Sequence, residues 1–196
     1  MDALDQAREF CYNHSRRIVR ESASAIRLTH RGLIDEAREQ IVATAAVVGE
    51  LLARAEQEPW LASAGFVLDA LKEHVEAHVT LRLVTEAELP GPEGLGVPDA
   101  PYLNGVAEAI MELRRHLVDL MRDGDIAAAA RKLDRLDDLY FTLTTFDYPD
   151  AILQGLRHRL DTVRSVVERT RSELVTAARQ ASLERRMASL EQRLPE

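Results

Sequence analysis

Four of the seven prolines in this chain of 196 residues fall in one short stretch, ELPGPEGLGVPDAP, together with Gly91, Gly94 and Gly96. Elsewhere glycine and proline are scattered singly, at Gly32, Gly49, Pro59, Gly65, Gly105, Gly124, Pro149, Gly155 and Pro195, and the helix breaks are read at Gly32, Pro59, Gly124 and Pro149. Between these breaks the chain is rich in Ala, Leu, Arg and Glu, which all favour helix, and no segment reads as a strand. The punctuation predicts an all-α fold, an antiparallel bundle of about six to seven helices with short connections. The first runs from about Asp5 to His30 and stops at Gly32, a C′ glycine. The second runs from Ile34 to about Gln57. Pro59 opens a third that continues to about Glu88. The Pro/Gly stretch then reads as a loop at 89–100 that no helix survives. A fourth helix starts near Pro101 and ends before Gly124, and Asp125 caps a fifth that reaches about Thr144. TFDYPDA is a turn, and the remainder to about Leu190 is one long helix or two broken ones. Neither half alone offers a closed core, so residues 1–196 read as a single helical domain with an internal loop.

Composition narrows the class. With 46% hydrophobic and 30% charged residues the chain is a folded globular protein, not a disordered one. One cysteine, Cys11, rules out an intrachain disulfide and fits a reducing compartment. It reads as a buried, inert thiol. The acidic start, MDALDQAREF, has no apolar segment of the signal-peptide kind. Runs such as IVATAAVVG are too short to span a bilayer, so the expected location is the cytoplasm. The net charge of −8 counts against nucleic acid only if it is spread evenly. Of the 25 basic residues only Lys72 and Lys132 are lysine.

Two glutamate pairs carry the chemistry. Glu73 and Glu76 are three apart in LKEHVEAHV, and Glu108 and Glu112 are four apart in YLNGVAEAIMELRR. On a helix each pair shares a face. If the faces meet, they form a four-carboxylate cluster suited to Mg²⁺ or Mn²⁺. Periodicity weighs differently on the two helices. On the fourth, Tyr102, Val106, Ala109, Ile110, Leu113, Leu117 and Leu120 form the apolar stripe. Glu108, Glu112, Arg115 and Asp119 lie opposite, as a solvated face with a Glu112–Arg115 ion pair. The third is apolar on two sides, so Glu73 and Glu76 are expected to meet a partner surface. His74 and His78 point away from Glu73 and read as core-edge or exposed histidines. On the first helix Arg16, Arg20, Arg27 and Arg31 fall within about 60° of one another. They are a phosphate track or an ordinary solvated face. No nucleophile elbow, phosphate-binding loop or zinc-protease motif is present.

At these residues the chain resembles the translin family, and within it the members like translin-associated factor X (TRAX). The marks are SRRIVRESASAIRLTHRG, LKEHVEAHV, YLNGVAEAIMELRR followed by LMRDGDI, and TFDYPDAI. The resemblance spans nearly the whole chain. It implies a fold of about seven helices and a closed, barrel-shaped oligomer that binds single-stranded RNA or DNA. TRAX-like members are Mg²⁺-dependent endoribonucleases, and their acidic residues fall here on Glu73, Glu76, Glu108 and Glu112. One of these is Glu where such members often carry Asp. The expected function is therefore single-strand RNA cleavage. Arg16, Arg20, Arg27 and Arg31 would hold the backbone, and Arg115 would neutralise charge or pair with Glu112. The compact length fits a prokaryotic, archaeal member forming a homo-oligomer of six to eight subunits. The alternative is a non-catalytic RNA- or DNA-binding oligomer.

Overall fold

The structure, a computed structural model, describes residues 2–193. All its regular elements are helical: α1 Asp2–His30, α2 Ile34–Ala55, α3 Pro59–Ala62, α4 Gly65–Val84, α5 Pro92–Leu95, α6 Asp99–Arg122, α7 Ile126–Thr144, α8 Asp150–Leu153 and α9 Leu156–Glu191. Six are long and three are single turns. The all-α fold read from the punctuation is what forms. Gly32 ends α1 with φ 74°, and Gly124 ends α6 with φ 83°, a backbone conformation natural to glycine. The Asp125 side chain caps α7 by accepting from the Ala128 N–H at 2.9 Å.

Two expectations need correction. The third helix is not continuous from Pro59 to Glu88. Ala64 takes an extended conformation (φ −68°, ψ 134°) and separates α3 from α4, which ends at Val84. The Pro/Gly loop is not wholly free of helix, because Pro92–Leu95 closes one turn, with Pro92 at its start and Gly96 in the left-handed region. The uncertain C-terminal stretch resolves as one continuous 36-residue helix, α9.

The core is organised around α4. It packs against α1, α2 and α6, while α6 in turn packs against α7 and α9. Leu71, Val75, Val79 and Leu83 of α4 join Ile18, Leu51, Val106, Ile110, Leu136, Leu156 and Val163 in one buried cluster. Helices joined by tight turns, such as α1 and α2, run antiparallel. α4 and α6 lie side by side in the same direction, because the segment between them carries the chain back. Three contacts hold that return. Lys132 Nζ, on α7, donates to the Leu83 and Val84 carbonyls at 3.2 and 2.8 Å, satisfying the end of α4. Arg135 donates to the Ala87 carbonyl at 2.9 Å. Tyr102 Oη donates to the Pro90 carbonyl at 2.7 Å.

α4 and α6 approach closely at Gly105. A Cβ there would lie 2.6 Å from Val75 Cβ and 2.7 Å from the Lys72 carbonyl oxygen, closer than real side chains approach. Among the described residues no helix is long and apolar enough to cross a membrane.

This contact makes a testable demand. Gly105→Ala should lower thermal stability by roughly 1–3 kcal/mol through overpacking, although alanine is the better helix former. Gly49→Ala, also mid-helix but with nothing within 4 Å of the added Cβ, should raise it. Thermal melts of the two variants decide the matter. A Gly105→Ala protein as stable as wild type would show that the interhelical contact is loose.

Candidate carboxylate site

The close approach at Gly105 brings the two acidic helices together. Carboxylate oxygens of Glu73, Glu76 and Glu108 all lie within 4.8 Å of one another. Glu76 is buried, with 7% of its surface exposed. Its position explains why α4 reads as apolar on two sides: one side packs on α1 and α2, the other on α6. Burial, followed by the charges of Glu73, Glu108 and Glu112, pushes the Glu76 carboxyl up to about 9.

Glu108 is not on a solvated face, as periodicity suggested. Lys72 Nζ donates to both of its carboxylate oxygens at 3.0 and 3.1 Å. Arg159 Nε, from α9, donates to Oε1 at 2.7 Å. Burial alone would raise the Glu108 carboxyl, but hydrogen bonds from Arg159 and Lys72 outweigh it and hold the group below its ordinary range. Lys72 also lies 3.1 Å from Glu73 Oε1 and 3.2 Å from Asp69 Oδ1. Burial works against its charge, yet the Glu108 and Glu73 carboxylates reverse that and raise the ammonium well above its usual range.

The neighbours of this cluster come from the same short motif. Asn104 donates to the Leu153 and Ala100 carbonyls, both at 2.8 Å, and accepts from Arg159 at 3.0 Å. In YLNGVAE, Tyr102 holds the loop, Asn104 and its bonds fix α8 and the start of α9, Gly105 admits α4, and Glu108 reaches the site.

Glu112 sits one turn further along α6, outside the three-carboxylate group. It is hydrogen-bonded to His30 at the end of α1, Nε2 to Oε2, at 2.6 Å. The ion pair with Arg115 does not form: Arg115 is exposed and, among the described residues, has no carboxylate within 4 Å. Arg16, Arg20, Arg27 and Arg31 are all exposed along α1. Arg16 and Arg20 border a groove of about 320 Å³ whose other wall carries Phe66 and Asp69 of α4.

His74 is fully buried rather than core-edge, and His78 is half-buried; their rings pack edge to face at 5.2 Å. Burial lowers both to about 4, with His78 adding to the effect on His74 and Arg82 to that on His78. Both imidazoles are neutral near pH 7, on a side of α4 away from the carboxylates. Cys11 is buried, and burial raises its thiol.

The sequence reading missed Lys72, Arg159, Asn104 and His30. One signal was present. A chain that uses arginine almost everywhere keeps only two lysines, and both are buried against polar groups. Nothing local marks Arg159 or His30, since their partners are 51 and 82 residues away.

No protein-family model matches the chain. It is 28% identical over 174 residues to the uncharacterized protein MJ0175 of Methanocaldococcus jannaschii, covering 88% of this chain and 77% of that one. Among solved structures, AfC3PO superposes with a TM-score of 0.83 at 29% identity, over 90% of this chain and 92% of that one. The apo form of NeC3PO superposes with a TM-score of 0.82 over the same shares, and its 22% identity bears on the fold alone. AfC3PO in complex with duplex RNA superposes with a TM-score of 0.81 at 30% identity, again over 90% and 92%. With that identity carried over nearly the full length of both chains, the protein belongs to the C3PO family of translin-like helical bundles.

Proposed function

We propose that this chain is a divalent-metal-dependent endoribonuclease acting on single-stranded RNA. The observation that carries the reading is the meeting of Glu73, Glu76 and Glu108 at the α4–α6 contact, one of them buried. Buried carboxylates repel one another unless a proton or a cation neutralises them. An all-oxygen donor set of this kind fits Mg²⁺ or Mn²⁺. An ion bound there would supply an activated water and a counter-charge for the phosphodiester. Glu73, Glu76 and Glu108 would hold the ion. Glu112, oriented by His30, lines the approach one turn away. Arg16 and Arg20, with Arg27 and Arg31 beyond them, would bind the RNA backbone, and exposed Arg115 is free to meet it from α6. That a C3PO relative was determined with duplex RNA supports RNA as the ligand class. The preference for single strands and the TRAX-like chemistry rest on the motif resemblance.

The rival reading, a non-catalytic RNA- or DNA-binding oligomer, has one observation in its favour: Lys72 and Arg159 already neutralise Glu108. Cleavage assays separate the two. Labelled single-stranded and duplex RNA would be incubated with Mg²⁺, Mn²⁺ or EDTA. Glu108→Ala should reduce metal-dependent cleavage by at least about a hundredfold while leaving RNA affinity largely intact. Arg16→Ala with Arg20→Ala should do the reverse, weakening binding and making it less salt-dependent. Undiminished cleavage by Glu108→Ala would sink the site assignment.

A second expectation follows from Glu76. In EDTA the unfolded chain releases this proton near 4.5, whereas the folded chain keeps it to about 9. The folded state therefore binds more protons across that window, and stability falls as pH rises through it. Melting curves from pH 5 to 9 should show this decline, and Glu76→Gln should flatten it. Millimolar Mn²⁺ should offset the loss at the alkaline end. A wild-type slope identical to that of Glu76→Gln would contradict the burial of this carboxyl.

The chain is also proposed to assemble as a homo-oligomer of six to eight subunits. The support is the apolar surface left on α9, where Val175, Leu183, Met187 and Leu190 are exposed, and on Phe141, Tyr148 and Ile152. Sedimentation should give a closed oligomer for wild type and smaller species for Leu183→Glu with Met187→Glu. A wild-type monomer at micromolar concentration refutes assembly.

A further inference from the structure

The reading above leaves Lys72 and Arg159 without a part, although they are the best-connected cations in the site. Lys72 Nζ lies within 3.2 Å of carboxylates on Asp69, Glu73 and Glu108. Two of those three belong to the proposed ligand set. Arg159 takes Glu108 Oε1 at 2.7 Å from the other side. Glu108 therefore has both oxygens engaged by cationic side chains, one of them twice. A divalent ion on Glu73 and Glu108 would share these oxygens with an ammonium and a guanidinium. Like charges within a few ångströms in a half-buried site repel strongly.

Both side chains have somewhere else to go. Lys72 and Arg159 line a groove of about 410 Å³ beside the cluster, together with Asp69, Asn104 and Gln154. Lysine has a long flexible stem, and arginine offers a planar fork that matches a phosphate. The groove meets the carboxylate cluster through Lys72 and Arg159, which contact Glu108, and Asp69 also borders the groove beneath Arg16 and Arg20.

Resting on the metal-site reading, we propose that Lys72 and Arg159 are displaceable counter-ions. Entry of a divalent cation turns them off Glu73 and Glu108 into the adjoining groove, where they hold the RNA phosphate next to the ion. Without the ion they neutralise the carboxylates and keep the cluster folded. With it they become positioning residues for substrate. Cation binding and phosphate binding are then coupled, each favouring the other.

The test is a titration of Mn²⁺ into wild type, Lys72→Met and Arg159→Gln, followed by calorimetry. Removing a competing cation should tighten Mn²⁺ binding on the order of tenfold for Lys72→Met, and less for Arg159→Gln. Lys72→Met should also melt lower in EDTA, because the carboxylates lose their counter-ion, and regain stability with Mn²⁺. Arg159 is nearer the rim, its side chain 29% exposed, and keeps the comparison readable if Lys72→Met does not fold. At saturating Mn²⁺ both variants should raise KM for single-stranded RNA several-fold, with a smaller change in kcat. Mn²⁺ binding by wild type that is equal or weaker in the folded variants overturns the counter-ion role. Tighter metal binding with unchanged KM overturns the phosphate role. Absence of Mn²⁺ binding by wild type defeats the metal-site reading itself, and this inference with it.

Discussion

The contact between α4 and α6 at Gly105 is the constraint on which the site depends. Helix axes usually lie 8–10 Å apart, depending on the side chains between them. Here one of those side chains is a hydrogen atom, and the Lys72 carbonyl and Val75 fill the space a methyl would take. That closeness lets carboxylates from adjacent turns of two helices reach one another. Direction matters as much as distance. Because the two helices run the same way, Glu73 and Glu76 climb in step with Glu108 and Glu112, and successive turns stay opposite each other. The return of the chain that makes this possible is tied at both ends, by Lys132 and Arg135 near the end of α4 and by Tyr102 at the start of α6.

Charge is distributed unevenly across the cluster, and the unevenness separates the carboxylates. Glu108 receives hydrogen bonds from both cations and is held ionised. Glu76 is buried among three like charges and, without a divalent cation, keeps its proton well above the usual carboxylate range. Two carboxyls with oxygens within 4.8 Å of each other are thus driven in opposite directions by their surroundings. Such divergence is a common property of functional sites. The difference falls where α4, α6 and α9 meet, with Lys72 and Arg159 both on Glu108.

The sequence makes the fold legible to the extent that local physics decides it. Gly32, Gly124 and Asp125 act through their own backbones or nearest neighbours, and all three behave as read. The break at 63–64 was missed because nothing in WLASAGF forbids a continuous helix. Periodicity also misjudged Glu108. It correctly puts Glu108 opposite the Leu113–Leu117 stripe, but a helix has more than two sides. α6 is covered by α4, α7 and α9, so the face away from its main stripe is still half-buried. For α4 the same logic worked, since apolar residues on two sides announce two partners. The pairing of Glu112 with His30 rather than Arg115 belongs to long-range topology, where sequence spacing has no reach.

The arginine row gains meaning from that topology. Tyr12 packs against Phe66, and further along Ala25 and Ile26 pack with Ala77 and Leu81. α1 therefore runs beside α4 in the same direction, nearly residue for residue. On that register Arg20 stands near the level of Glu73, with Arg16 before it and Arg27 and Arg31 beyond. At about 1.5 Å per residue the row spans roughly 22 Å along the face that flanks the carboxylates. An exposed row of arginines beside one buried and three half-buried glutamates is an arrangement that helix stability alone does not require. A polyanion lying along α1 would be held by the first row, and its backbone would pass next to the second. The acidic net charge of the chain is not spread evenly, because Arg16, Arg20, Arg27 and Arg31 share one exposed face of α1.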